Sequence, residues 1–409
     1  LTESQTSANI GITFTKPEID WNQVLNWKES VTQKLNKGLD QLVKERKIKR
    51  FQGIASFTSQ NQIQVINEAN EQFIDFKQAV IATGSHPFQL PNFPEHRDII
   101  DSTGALALTE IPKSMLIIGG GIIGLEMATV YQAFGTEITI VEMLDQLVPP
   151  ADIDLVKPLQ MALKKKGAKI LLSTQVVSID PVDSGLNVSF KAKKDIPTQN
   201  FEKVLVAVGR KPNTQNMGLE KIGIQLNDQG YIRVNAKMQS SLNHIFAIGD
   251  VIGNPMLAHK AVHEGKIAAE VAAGKKSVND VKVIPSVAYT HPEIAWVGIT
   301  EKEAKSANID YEKAVFPWAA NGKSLSMNQG LGATKLLFEP QSKALLGAGI
   351  VGKNAGEMIA ELALAIEMGC DAADIGMTIH AHPTLSESVA MAAEAFEGTL
   401  TDLYMPKKK

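Results

Sequence analysis

Leu116-Ile-Ile-Gly-Gly-Gly-Ile-Ile-Gly-Leu-Glu126 decides the fold, because an apolar strand breaks there into a glycine turn and re-emerges as a helix. In a turn of this kind Gly119 permits the tight bend, Gly121 lets backbone N–H groups approach a pyrophosphate, and Gly124 lets the helix pack against the strand. Gly120, Ile122 and Ile123 complete the turn, where the start of the helix favours negative charge. GxGxxG alone is weak evidence, since a glycine turn can simply join a strand to a helix. Here the rest of the βαβ unit follows: a helix through Tyr131 to Phe134, Gly135 as its stop, and the strand Glu137-Ile-Thr-Ile-Val-Glu142 ending in a carboxylate. Glu142 lies 18 residues after Gly124, close to the roughly 20 expected of the acid that binds the adenosine ribose hydroxyls. No Arg or Lys follows it before Lys157. A 2′-phosphate would meet Glu142 with no cation to receive it, so the unit reads as an NAD site.

A chain of 409 residues is long enough for two or three domains at about 150 residues each. Its net charge of −3 and 6% aromatic content provide no basic stripe for nucleic acid, and Lys407-Lys408-Lys409 reads as a solvated tail. The longest apolar run, Met115 to Leu125, falls short of the roughly 20 residues that span a bilayer. One cysteine, Cys370, cannot close an internal disulfide and fits a reducing cytoplasm. After Gly369 at a helix end, it reads as a small buried residue.

Asp20 with Gln23 three residues on suggests a capping box, and Val24, Trp27, Val31, Leu35, Leu39 and Leu42 follow at helical spacing. An amphipathic helix to about Lys47 is expected. Short strands come next, ending with the apolar run at Gln78–Ser85, and prolines 87, 91 and 94 mark a crossing segment. Lys203–Arg210 and Ile245–Asp250 are two further strands ending in glycine, the second followed by a helix over 261–273. From Val281 an α+β domain is expected, with a long helix over Ala355–Met368. Gly347-Ala-Gly-Ile-Val-Gly352 also fits GxGxxG, but no strand ending in an acid follows it. It reads as a close-packed turn.

The order of these motifs resembles that of the flavoprotein disulfide reductases, and among them the bacterial dihydrolipoamide dehydrogenases, over the whole chain. The resemblance rests on Ala79-Val-Ile-Ala-Thr-Gly-Ser85, the glycine run, Val206–Arg210, Phe246–Asp250 with Met256-Leu-Ala-His259, and His380-Ala-His-Pro-Thr-Leu-Ser-Glu387. It implies an α/β fold with two Rossmann-like domains, for FAD and NAD, and a C-terminal α+β dimerisation domain. The FAD domain would take residues 1–100 and 216–280, the NAD domain 101–215, and the dimerisation domain 281–409. By the same resemblance Ala55, Thr83, Gly84, Ser85, Asp250, Met256, Leu257, Ala258 and His259 touch FAD, Asp250 at the ribityl chain. Glu126, Val176, Ala207, Gly209 and Arg210 join Gly119–Gly124 and Glu142 around NAD, Glu126 near the nicotinamide. His382 and Glu387 are implied as an acid/base dyad: the histidine takes a proton from a substrate thiol and the glutamate holds its other nitrogen. Histidine suits the task, because its ordinary pKa of about 6.5 lies near working pH. His291 reads as structural, in a His-Pro turn, and Pro383 is expected to open a helix at its first position.

The dyad would serve the opposite subunit of a homodimer, and the partners would be lipoyl domains and the core of a 2-oxoacid dehydrogenase complex. No metal site is expected. The family begins with its own GxGxxG unit for the FAD pyrophosphate and a CxxxxC redox helix, and neither motif is found in the residues at hand. The expectation is therefore of a protein whose dithiol half-reaction cannot run as written. Another NAD(P)-dependent reductase of this class and a non-catalytic dimeric scaffold remain the alternatives.

Overall fold

In the computed structural model, which describes residues 3–4, 7–15, 17–68 and 70–404, the glycine run links the strand Ser114–Ile118 to the helix Ile122–Ala133. The Lys407–Lys409 tail lies outside the described residues. The chain divides into two compact units, Leu1–Phe88 with Arg210–Asp280 and Gln89–Gly209 with Val281–Lys409. The crossings at 88/89 and 209/210 precede the expected borders at 100 and 215. The reason is local pairing: Arg210–Pro212 runs antiparallel to Ser85–Pro87 in the first unit.

In the first unit, Ile54–Ser59, Gln62–Ile66 and Glu71–Asp75 form an antiparallel meander, and Ala79–Ile81 pairs in parallel with Ile245–Ala247. Its core gathers Phe57, Ile81, Leu219, Ile222, Ile245 and Val251. The apolar run at 78–85 forms a strand of only three residues, of which Ile81 is buried while Val80 is 47% exposed. The amphipathic helix spans Trp21–Glu45, and Asp20 caps it by accepting from the Gln23 N–H at 3.0 Å. This is the forward half of the expected capping box. None of its residues is buried. The helix expected over 261–273 begins earlier and spans Ala258–Ala272.

The second unit holds a five-stranded all-parallel sheet in the order Ile99–Ile100, Lys203–Val206, Ser114–Ile118, Glu137–Val141, Lys169–Leu171. Met115, Leu116 and Ile117 are fully buried, as a strand covered on both faces requires. Its second part is a five-stranded antiparallel sheet backed by the helices Ala355–Met368 and Glu387–Glu397. The glycine run at 347–352 is a strand within this sheet, Leu345–Gly352, and not a turn. Packing demands its glycines: a Cβ at Gly347 would strike the Ile299 carbonyl oxygen, one at Gly349 Leu155, and one at Gly352 the Trp318 ring. Cys370 is half-buried against this core.

Lys335, on the strand Ala333–Phe338 and 2% exposed, pairs with Asp152 at 2.8 Å, Asp154 at 2.9 Å and Glu301. The three acids place carboxylate oxygens within 4.8 Å of one another, and the buried Lys335 ammonium meets all three while the more exposed Lys313 meets Asp154 and Glu301. Burial pushes the Glu301 carboxyl up, but hydrogen bonds from Lys313, Lys335 and Tyr311 outweigh it and hold it at about 2. A depressed acid stabilises the fold above its ordinary 4.5 and loses that contribution as pH falls toward 2. The melting temperature of the second unit is therefore expected to fall between pH 4.5 and 2, with a shallower slope in Glu301→Gln; equal slopes would remove Glu301 from the account.

Candidate active-site residues

The turn after Ser114–Ile118 divides its labour among its glycines. Gly119 has φ +110°, and a Cβ there would run into the Ala207 carbonyl oxygen; at Gly124 one would run into the Gly119 carbonyl oxygen. Gly121 differs. As the N-cap of Ile122–Ala133 it receives no side-chain cap, and a Cβ added to it meets nothing within 4 Å. The first N–H groups of a helix have no intrahelical partners, so this open cradle fits a pyrophosphate. Ile122 and Ile123, half-buried, form the first turn.

Glu142 follows its strand directly and accepts from the Gly120 N–H at 2.7 Å through Oε2 and from the Leu144 N–H at 2.8 Å through Oε1. An ionised carboxylate has about four acceptor sites, so two remain for ribose hydroxyls. Glu142→Ala is expected to weaken NAD binding by about 1–3 kcal/mol, the cost of losing hydrogen bonds to a charged group. It should also narrow the preference over NADP, with Glu142→Gln between. Calorimetry showing unchanged NAD affinity in the alanine variant would place the ribose elsewhere.

Glu126 accepts from the Tyr289 N–H at 2.9 Å, and burial outweighs that bond to raise its carboxyl above the ordinary range. Gly209 is a second open glycine, at φ +136°. Val176 is a core residue, packed with Leu116, Ile118 and Val141. Arg210, grouped above with NAD, sits instead in the first unit: its Nε and Nη2 donate to Ser85 Oγ and O at 2.7 and 2.8 Å.

Ser85 in turn donates to Asp250 Oδ2 at 2.6 Å. Thr83–Ser85 and Asp250 thus meet beyond the carboxyl ends of the parallel strands Ala79–Ile81 and Ile245–Ala247, where open α/β sheets bind ligands. Asn213 fixes the first segment by donating its N–H to Gly84 O at 2.9 Å and its Nδ2 to Thr83 O at 2.8 Å. Gly84, at φ +69°, has open space where a side chain would be. Met256 and Leu257 lead into Ala258–Ala272, whose N-terminus has no side-chain cap, and His259 lies in its first turn. Ala55 is exposed on the antiparallel meander. The open glycine, the carboxylate and the uncapped helix start fit a polar cofactor such as FAD.

His382 Nδ1 and Glu387 Oε1 lie 2.8 Å apart, with the imidazole 78% exposed and the carboxylate 13%. The His382–Pro383 peptide is cis, and the helix begins at Glu387 rather than at Pro383. Glu387 also accepts from the Thr384 N–H at 2.6 Å. Burial raises its carboxyl, but that N–H and His382 together bring it below the ordinary range. A charged acceptor on Nδ1 leaves Nε2 as the ring nitrogen for a substrate proton. His380 is arranged differently: Nε2 meets Glu361 at 2.7 Å, Nδ1 meets Thr378 O at 2.8 Å, and the side chain is 8% exposed.

The family model for pyridine nucleotide-disulphide oxidoreductases matches residues 4–265, and that for the dimerisation domain of the same oxidoreductases matches 284–393. The chain belongs to this family. Its relatives include the dihydrolipoyl dehydrogenase of Vibrio cholerae, 49% identical over 100% of this chain and 86% of the relative. That of Geobacillus stearothermophilus is 43% identical over 97% and 84%. Among solved structures, the HOCl-induced flavoprotein disulfide reductase RclA of Escherichia coli superposes with a TM-score of 0.83 at 26% identity, covering 91% and 85% of the two chains. Enzymes of this oxidoreductase family use FAD and NAD(H), the two cofactors inferred from the sequence. The dimerisation domain supports a homodimer.

Sequence reasoning missed the Tyr289 contact of Glu126, the Arg210–Ser85–Asp250 chain and the Lys335 cluster. Nothing in local spacing signals them, since their contacts join residues 34 to 183 positions apart. Among the described residues, no helix is long and apolar enough to cross a membrane.

Proposed function

We propose that the protein is a cytoplasmic NAD-dependent dihydrolipoyl dehydrogenase, working in a homodimer that serves a 2-oxoacid dehydrogenase complex by reoxidising its lipoyl domains. The observation that carries this reading is the His382–Glu387 pair, one imidazole nitrogen held by a carboxylate and the ring exposed. That arrangement suits the removal of a proton from a thiol brought by a large partner. Thr83–Ser85, Asp250 and 256–259 are the residues assigned to FAD; Gly119–Gly124, Glu126, Glu142, Ala207 and Gly209 are assigned to NAD. FAD, when bound, relays two electrons between dithiol and NAD. Glu142 orients the adenosine end, and the turn holds the pyrophosphate.

Dithiol oxidation through a protein disulfide needs two cysteines, and the 409 residues hold one. The second reading is a dimeric scaffold that retains nucleotide binding without dithiol turnover. An absorption spectrum of the purified chain with an NADH titration separates the readings. Flavin bands bleached by NADH support the enzyme, and a colourless protein that binds NADH supports the scaffold. Dihydrolipoamide turnover at ordinary dehydrogenase rates by this polypeptide would overturn the need for a cysteine pair.

A further inference from the structure

The Lys335 cluster is too elaborate for a surface ion pair, and its members lead back to the glycine turn. Asp152 precedes the helix Ile153–Lys165 as its N-cap residue, yet its side chain makes no cap bond to that helix. Both carboxylate oxygens accept instead from the Glu301 N–H, at 3.0 and 3.1 Å, while Oδ2 also meets Lys335. One turn on, Leu155 fills the hollow over Gly349 in which a Cβ would not fit. The helix is thus fastened to the C-terminal sheet by charge at its N-cap and first turn, through Asp152 and Asp154, and by shape just after.

Towards the turn, the segment between Glu142 and Asp152 is fixed as firmly. Leu147 and Val148 are fully buried. The Val148 N–H donates to Gly120 O at 2.8 Å, and Leu147 Cδ2 lies 2.6 Å from where a Gly120 Cβ would stand. Val148 holds φ +43°, a conformation that a β-branched residue adopts only when its surroundings impose it. Ala151 N–H returns to Val148 O at 2.9 Å, and Gln146 Nε2 donates to Ala151 O at 2.9 Å. Gly120, whose N–H also holds Glu142, is therefore connected to Lys335 by a short segment pinned at both ends.

From this we infer that Lys335 is a positioning residue for dinucleotide binding: through Asp152 and the 142–152 segment, the C-terminal sheet sets the geometry of the phosphate turn and of Glu142. The inference rests on the reading of Gly119–Gly124 and Glu142 as the NAD site. Removing the Lys335 ammonium leaves Asp152 without its cation partner in the cluster and the other two carboxylates with the half-exposed Lys313, so repulsion among the three acids drives the start of the helix away from the sheet. The turn then loses its preformed shape, and binding energy must be spent restoring it.

The test is NADH affinity, measured by calorimetry well below each variant's melting temperature, in wild type, Lys335→Met, Glu301→Gln and Ile359→Ala. Ile359 is a buried residue of the same C-terminal core outside this path, so its variant reports destabilisation alone. Lys335→Met is expected to raise the NADH dissociation constant roughly tenfold and Glu301→Gln roughly threefold, as residues coupled to a site without touching ligand do. Ile359→Ala should leave it unchanged. Wild-type affinity in folded Lys335→Met, or equal weakening in Ile359→Ala, would make the cluster purely structural. If Lys335→Met does not fold, unchanged affinity in Glu301→Gln overturns the inference. Failure of the wild-type chain to bind NADH would instead overturn the dinucleotide reading, and this inference with it.

Discussion

Replacing His382 with alanine is expected to lower dithiol turnover by about 10²–10⁴-fold, the span associated with a lost general acid or base. The measurement belongs in a protein that carries a redox-active cysteine pair. Flavin reduction by NADH should change little, because hydride transfer needs no thiol proton. Glu387→Gln should lose less in the same half-reaction. It keeps the side-chain shape and the Thr384 contact while removing the charge that supports an imidazolium. His380→Ala gives the contrast: with both ring nitrogens already bonded, its loss should lower stability more than turnover. If His382→Ala slowed both half-reactions equally, the histidine would be structural. Mixed dimers of the His382 variant with a cysteine-less variant should regain activity, one site then combining an intact disulfide with a histidine from the other chain.

Gly124→Ala should abolish useful NADH binding, by about 10²-fold or more, while leaving the C-terminal sheet folded. The added methyl would collide with the Gly119 carbonyl oxygen and stand 3.0 Å from Ile117 Cγ2. Backbone cannot yield as a side-chain tip can, so the helix Ile122–Ala133 must move from its strand. A displacement near 1 Å can cost about 10²-fold at a site that depends on aligned groups. Gly121→Ala makes the informative comparison, because its methyl would enter open space. It should leave the fold intact and weaken only the nucleotide. Equal melting and equal NADH affinity for Gly124→Ala and wild type would show that the turn is not the binding element.

The legible parts of the site were those written in short sequence windows. The βαβ unit, its terminal Glu142 and the His–Pro…Glu motif were found from spacing and resemblance, and each lies within one element or one turn. The pattern at 347–352 misled for the same reason. GxGxxG records that glycine is needed at three positions without saying why, and there the need is the close approach of Ile299, Leu155 and Trp318 to a strand. Likewise Pro383 suggested a helix start, but the chain reaches Glu387 before the helix begins.

By itself the sequence determined what depends on neighbours a few residues away: the glycine turn between Ser114–Ile118 and Ile122–Ala133, the Asp20 cap, and the helix Ala355–Met368. These follow from hydrogen bonds and side-chain periods internal to one segment. The tertiary structure decided what depends on distant partners. It assigned Arg210 to Ser85, separated His382 from the doubly bonded His380, and gathered three acids around Lys335. It also left the apolar face of Trp21–Glu45 unburied, although its pattern is that of a packed helix. Ser85 meets Asp250 across 165 positions and Lys335 meets Asp152 across 183. Over such separations periodicity carries no information, because which groups meet is settled by how strands order within sheets and by which charges are buried together.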